Sequence, residues 1–174
     1  MKINNKDKNI VLIGFMGSGK TSVGKRLSLV LKREFIDTDD FIEKREGMTI
    51  NEIFKEKGEE EFRKIERELY KRFSTPKKKI IATGGGVIKN PANIANLKKG
   101  GVIVYLKSSP EKIAQNLKFD NTRPILQVDD KEAKIRELLA QRELFYNKYA
   151  EITIDVSNYD IDHTVDKIIE LAKV

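Results

Sequence analysis

The sequence predicts an α/β protein of three α/β/α layers built on a five-stranded parallel sheet. Short and mostly apolar runs recur along the chain, as they do in strands buried on both faces. Between them lie segments with apolar residues three and four apart, the spacing of helices that pack on such a sheet. Gly14, Asp37 and Gly84 each stand where a predicted strand ends. Ligands of open parallel sheets bind at the carboxyl ends of the strands, so these residues are expected to line one cleft.

Asn9–Ile13 is the first strand and runs into Gly14. Lys20–Arg33 is a helix with Val23, Leu27, Val30 and Leu31 at helical spacing. Phe35-Ile36 is a second strand ending at Asp37. An extended Asp37-Thr38-Asp39-Asp40 would turn Asp37 and Asp39 to the same side, with Asp40 as a helix cap. Thr49 and Glu52 form a capping box that opens a helix. Glu59–Phe73 is another helix, with Phe62, Ile65, Leu69 and Phe73 on one face. Lys79–Thr83 is a strand that enters three consecutive glycines. Asn90-Pro91 opens a short helix that stops near Gly100-Gly101. Val102–Leu106 is a strand, and Ser109-Pro110 caps the next helix with proline at its first position. After a break at Phe119–Pro124, Lys131–Tyr149 is a long helix carrying Ile135, Leu138, Leu139, Phe145 and Tyr149. Glu151–Val156 and Asp160–Ala172 close the chain as strand and helix. His163 is expected in solvent, and Tyr146 and Tyr149 in the core or at its rim.

The 174 residues contain no repeat or linker, so a single domain over 1–174 is expected. No cysteine is present, which excludes disulfides and thiolate-bound metal. The N-terminus is polar, without the apolar core of a signal peptide. No run approaches the ~20 apolar residues that span a bilayer. A cytoplasmic protein without membrane attachment is expected, as a monomer. The net charge is +7, but the lysines are interleaved with acids. A basic pocket for small anions is expected, and no nucleic-acid partner. A nucleotide-binding module acting on nucleic acid is the rival from another class, and salt-sensitive binding to DNA or RNA would reveal it.

Gly14-Phe15-Met16-Gly17-Ser18-Gly19-Lys20-Thr21 matches G-x-x-x-x-G-K-[ST] between a strand and a helix, the context that gives the motif its meaning. Gly14, Gly17 and Gly19 let backbone amides converge on phosphate oxygens, with Ser18 and Ser22 beside them, and the helix N-terminus adds positive potential. Lys20 reaches the β and γ phosphates, and the Thr21 hydroxyl ligates Mg²⁺. A nucleoside triphosphate with Mg²⁺ is therefore expected. Asp37, at a strand end, suits a contact to Mg²⁺ through water. Asp39, further out, suits a substrate hydroxyl.

The loop GFMGSGKT, DTD at 37–39, FRKIE at 62–66, TGGG at 83–86, TRPIL at 122–126 and RELFYNKYA at 142–150 together resemble shikimate kinase. The resemblance runs from about Asn9 to Asp155. It implies a P-loop kinase type of fold and phosphorylation of the 3-hydroxyl of shikimate by ATP with Mg²⁺, in the route to aromatic amino acids. Asp37 then corresponds to the Mg²⁺-associated aspartate, and Asp39 to the aspartate that holds the ring hydroxyls and is the proposed base. Arg63 and Arg142 correspond to the arginines that bind the carboxylate, and Glu66 to a glutamate of the substrate region. Arg123 corresponds to the arginine of a lid, about 119–127, that closes over the phosphates and takes part in catalysis with Lys20 and Asp39. The acceptor-binding region spans about 37–73, completed by Gly84, Gly85 and Gly86 as an acceptor loop and by Arg142. One departure stands out: where many members carry an arginine near the adenine ring, this chain has Asn116. A kinase for gluconate or another small polyol acid, or for a nucleoside monophosphate, is the alternative within enzymes.

Overall fold

In the computed structural model, which describes residues 4–120 and 124–174, five strands form one sheet. They are β1 (Asn9–Ile13), β2 (Phe35–Asp37), β3 (Ile80–Ala82), β4 (Gly101–Lys107) and β5 (Ile152–Asp155). The order is β2-β3-β1-β4-β5, and every pairing is parallel. The connections are helical: α1 (Lys20–Leu31), α2 (Thr38–Glu46), α3 (Ile50–Arg72), α4 (Pro91–Gly100), α5 (Pro110–Asn116), α6 (Lys131–Tyr149) and α7 (Ile161–Ala172). Short 3-10 turns occupy Gly85–Lys89 and Pro124–Leu126.

The alternation of side chains along β1 divides the core. Ile10 and Leu12 join Val23, Leu27, Val165 and Ile168 under α1 and α7. Val11 and Ile13 face the other way, into a larger cluster with Phe62, Leu69, Leu97, Ile135 and Leu139. The three inner strands are buried on both faces. The edge strands are not: Thr153 and Asp155 of β5 are exposed, and β2 is only half-buried.

Several expectations change. A helix capped by Asp40 was expected without a stated extent; it is α2, and it begins earlier, at Thr38. Only Thr38 and Ile42 of α2 are buried, too few to leave a readable period. Asp40 is not the cap. Asp37 is, accepting from the amides of Asp39 at 3.1 Å and Asp40 at 3.2 Å. The chain therefore turns helical at Thr38 rather than running extended through Asp39. Val30 and Phe145 sit at helical spacing but are exposed, because neighbouring positions already fill the core side. Conversely, the capping box at Thr49 and Glu52 forms in full. Gly58, at φ 83°, splits α3 into the two helical pieces that the sequence implies. His163 is exposed and lies against the Tyr159 ring.

Candidate active site

The phosphate loop leaves β1 at Gly14, whose φ is 153°. A side chain there would meet the Leu106 carbonyl and the Ser18 hydroxyl at 2.8 Å, so the first glycine is demanded by close packing. Gly17 and Gly19 take φ of 77° and 92°, a region that favours glycine. Lys20 is nearly buried, its amine donating to the Gly14 carbonyl at 2.7 Å and the Phe15 carbonyl at 2.9 Å. The Ser18 hydroxyl is buried without a hydrogen-bond partner, a polar atom inside a loop shaped for an anion. Ser22 is exposed.

The Thr21 hydroxyl donates to Asp37 at 2.8 Å. This joins a hydroxyl from the first turn of α1 and a carboxylate from the end of β2 into a pair of hard oxygen donors, the chemistry that Mg²⁺ takes. Among the described residues no cluster of three or more His, Cys, Asp or Glu could hold a metal.

The triple glycine forms the opposite wall. Thr83 anchors it to β1, its amide and hydroxyl both donating to the Leu12 carbonyl at 3.1 and 2.9 Å. The Gly84 amide donates to the Thr38 hydroxyl at 3.2 Å, and the Tyr146 hydroxyl donates to the Gly85 carbonyl at 2.7 Å. None of the three glycines has positive φ. What they provide is space. A Cβ on Gly84 would lie 3.0 Å from an Asp39 carboxylate oxygen. One on Gly86 would lie 3.1 Å from Arg63 Nη1, and one on Gly85 would lie 3.6 Å from Arg142 Nη1. Each glycine thus admits one of the three polar side chains that the sequence assigned to the acceptor.

Those side chains are held from behind. Phe62 is buried, and the Arg63 guanidinium lies 5.2 Å from its ring centre. Arg63 Nη1 donates to Glu66 at 2.9 Å. Burial raises the Glu66 carboxyl above its ordinary pKa, and the charge of Arg63 pulls it back down. Arg142 lies 5.5 Å from the centre of the Phe15 ring, within the phosphate loop itself. Asn116 donates to the Gly17 carbonyl at 2.8 Å, so this residue braces the loop. Arg123 lies outside the described residues.

The shikimate kinase family model matches residues 16–173. The chain belongs to the shikimate kinase family. It is 51% identical over 162 residues to a shikimate kinase from Caldanaerobacter subterraneus subsp. tengcongensis, covering 93% of this chain and 94% of that protein. One from Thermodesulfovibrio yellowstonii is 47% identical over 163 residues, covering 94% of each. The Acinetobacter baumannii shikimate kinase solved in complex with shikimate superposes with a TM-score of 0.89 at 39% identity, covering 96% of this chain and 93% of that one. A gluconokinase from Sinorhizobium meliloti, at 14% identity and TM-score 0.56, shares the fold alone. As a shikimate kinase, the protein is an ATP-dependent small-molecule kinase.

Two residues that brace the triple glycine escaped the sequence reading. Thr38, fully buried, carries the Gly84 amide and lies 3.4 Å from the Tyr70 hydroxyl. Tyr146 stacks on Tyr105 and fixes the Gly85 carbonyl. Its position four residues after Arg142, on the same helical face, was the available signal. Burial pushes the Tyr146 phenol up to about 12, although Arg142 draws it downward. A phenol in the unfolded chain titrates near 10. The stabilisation is therefore complete below about pH 10 and is lost as pH rises towards the folded value, because the unfolded chain releases the proton first. Urea midpoints are expected to fall between about pH 10 and 12. Tyr146→Phe removes about 2–3 kcal/mol of that fall. An identical pH dependence in both proteins would exclude Tyr146 as a source.

Proposed function

We propose a division of labour in which each glycine loop serves one substrate in transfer of the γ-phosphoryl group of ATP to the 3-hydroxyl of shikimate. The observation that carries it is the triple glycine, which brings Asp39, Arg142 and Arg63 to one loop beside the phosphate loop. Two guanidinium forks suit a carboxylate, and an aspartate suits ring hydroxyls. The acceptor region spans about 37–73 together with Gly84, Gly85, Gly86 and Arg142. With the Gly84 amide engaged by Thr38, a backbone donor to the acceptor comes from Gly85 or Gly86.

On the nucleotide side, Gly14, Gly17, Ser18, Gly19, Thr21 and Ser22 surround the phosphates, and Lys20 neutralises the transferring group. Mg²⁺, held by Thr21 and through water by Asp37, would supply charge neutralisation between the phosphates. Asp39 orients the acceptor hydroxyl and takes its proton as the bond to phosphorus forms. Arg123 closes with the 119–127 lid, stabilises charge on the phosphoryl group and keeps out water, a competing acceptor. The protein works as a cytoplasmic monomer within one domain, without nucleic acid.

The test is ADP release from ATP and Mg²⁺ with shikimate, beside gluconate, AMP and no acceptor. Saturable release with shikimate alone is expected. Equal release with gluconate would move the acceptor assignment to the polyol acid class.

Gly85→Ala checks the acceptor loop. Its Cβ would touch the Met16 amide, Arg142 and the Gly14 carbonyl at ordinary contact distances of 3.5–3.6 Å, so the fold should tolerate it. The intruding methyl is expected to raise the KM for shikimate roughly tenfold, with a much smaller effect on ATP. Equal rises in both would make the loop a structural turn only.

A further inference from the structure

Beside Arg63 and Arg142 stands a third cation that the motifs did not mark. Lys89 ends the 3-10 turn that begins in the triple glycine. Burial lowers its pKa, as does repulsion from Arg63 and then Arg142, while Glu59 and Glu66 act in the opposite sense. Three positive charges therefore sense one another around one loop.

The two carboxylates among them differ. Glu66 is buried at 2% exposure and makes a short bond to Arg63, so it is part of the scaffold. Glu59 is 58% exposed and touches two cations at longer range, Arg63 Nη2 at 3.5 Å and Lys89 Nζ at 3.8 Å. It follows directly on Gly58, where the helix is broken. Arg63 Nε is buried and has no hydrogen-bond acceptor. Glu59 thus places a loosely held carboxylate against a cationic site that the acceptor's own carboxylate must enter.

We propose that Lys89 is a third cation recognising the acceptor's carboxylate, and that Glu59 is a built-in competitor which that carboxylate displaces from Arg63 and Lys89. The inference rests on the seating of the acceptor at Arg63 and Arg142. Exposed ion pairs are weak, so Glu59 lowers affinity only a few-fold. With Glu66 already paired to Arg63, Glu59 also offsets part of the positive charge that remains when no acceptor is bound. A neutral polyol has nothing to exchange for Glu59, so the exchange favours carboxylate-bearing acceptors.

The experiment compares steady-state kinetics of Glu59→Gln, Lys89→Met and Arg142→Lys at low salt. Glu59→Gln is expected to lower the KM for shikimate about two- to fivefold. Lys89→Met is expected to raise it about three- to tenfold. Neither should shift the KM for ATP, and both effects should shrink in added salt. A higher or unchanged KM in Glu59→Gln, or an unchanged KM in Lys89→Met, overturns the proposal. If Arg142→Lys alone raises the KM, only this inference fails. If Arg142→Lys also changes nothing, the seating of the carboxylate fails with it.

Discussion

Asp39→Asn is expected to lower kcat for shikimate phosphorylation about 10²- to 10⁴-fold, the range for loss of a positioned general base, while the KM for ATP holds. The substitution is nearly isosteric, which matters here. The Asp39 carboxylate lies against Gly84, and a bulkier change would push the acceptor loop. The amide retains hydrogen bonding to ring hydroxyls but not the capacity to accept a proton. Its backbone amide still donates to Asp37, so the start of α2 is undisturbed. A kcat within a few-fold of the original would show that Asp39 only positions the hydroxyl, as a loose transition state permits.

Lys20→Met is expected to reduce kcat by about 10²- to 10³-fold, the loss typical of a single donor aimed at developing charge, and to raise the KM for ATP as well. Lys20 is held inside the phosphate loop by two loop carbonyls. The methionine fills similar space without donors, so those carbonyls lose a charged partner and the melting temperature should fall slightly. The measurement is ATP-dependent turnover beside nucleotide binding by titration. Full retention of kcat would remove Lys20 from the phosphoryl-transfer step.

The parts of this protein that the chain announces are those where chemistry leaves few choices. The phosphate loop needs glycines at positive φ and a lysine at one place, so it reads directly from residues 14–21. Inner strands read well because both faces are buried and nearly every residue is apolar. Helix α2 did not, since a helix with two buried residues carries almost no pattern. Asp37 and Asp39 were placed together by an extended-chain argument, whereas a helix cap brings them there. Tyr146, Thr38, Glu59 and Lys89 were missed. Thr38, Tyr146 and Lys89 take their roles from partners distant in sequence, at Gly84, Gly85 and Glu59. Glu59 sits four residues before Arg63, a spacing that reads equally well as an ordinary surface ion pair. The triple glycine was read as an acceptor loop. Its service turns out to be room for three side chains from elsewhere.

The position of β1 has a consequence for how the enzyme comes into being. Its two neighbours in the sheet are β3, which ends at Ala82, and β4, which ends at Lys107. The phosphate-loop residues are made early, but the strand that aims them is not paired on both edges until both later strands have been synthesised, and such non-local pairing is slow to close. A nascent chain ending before about residue 107 holds the nucleotide motif as sequence without the site. On the ribosome, competence to bind nucleotide comes with assembly of the sheet's centre rather than with translation of the motif.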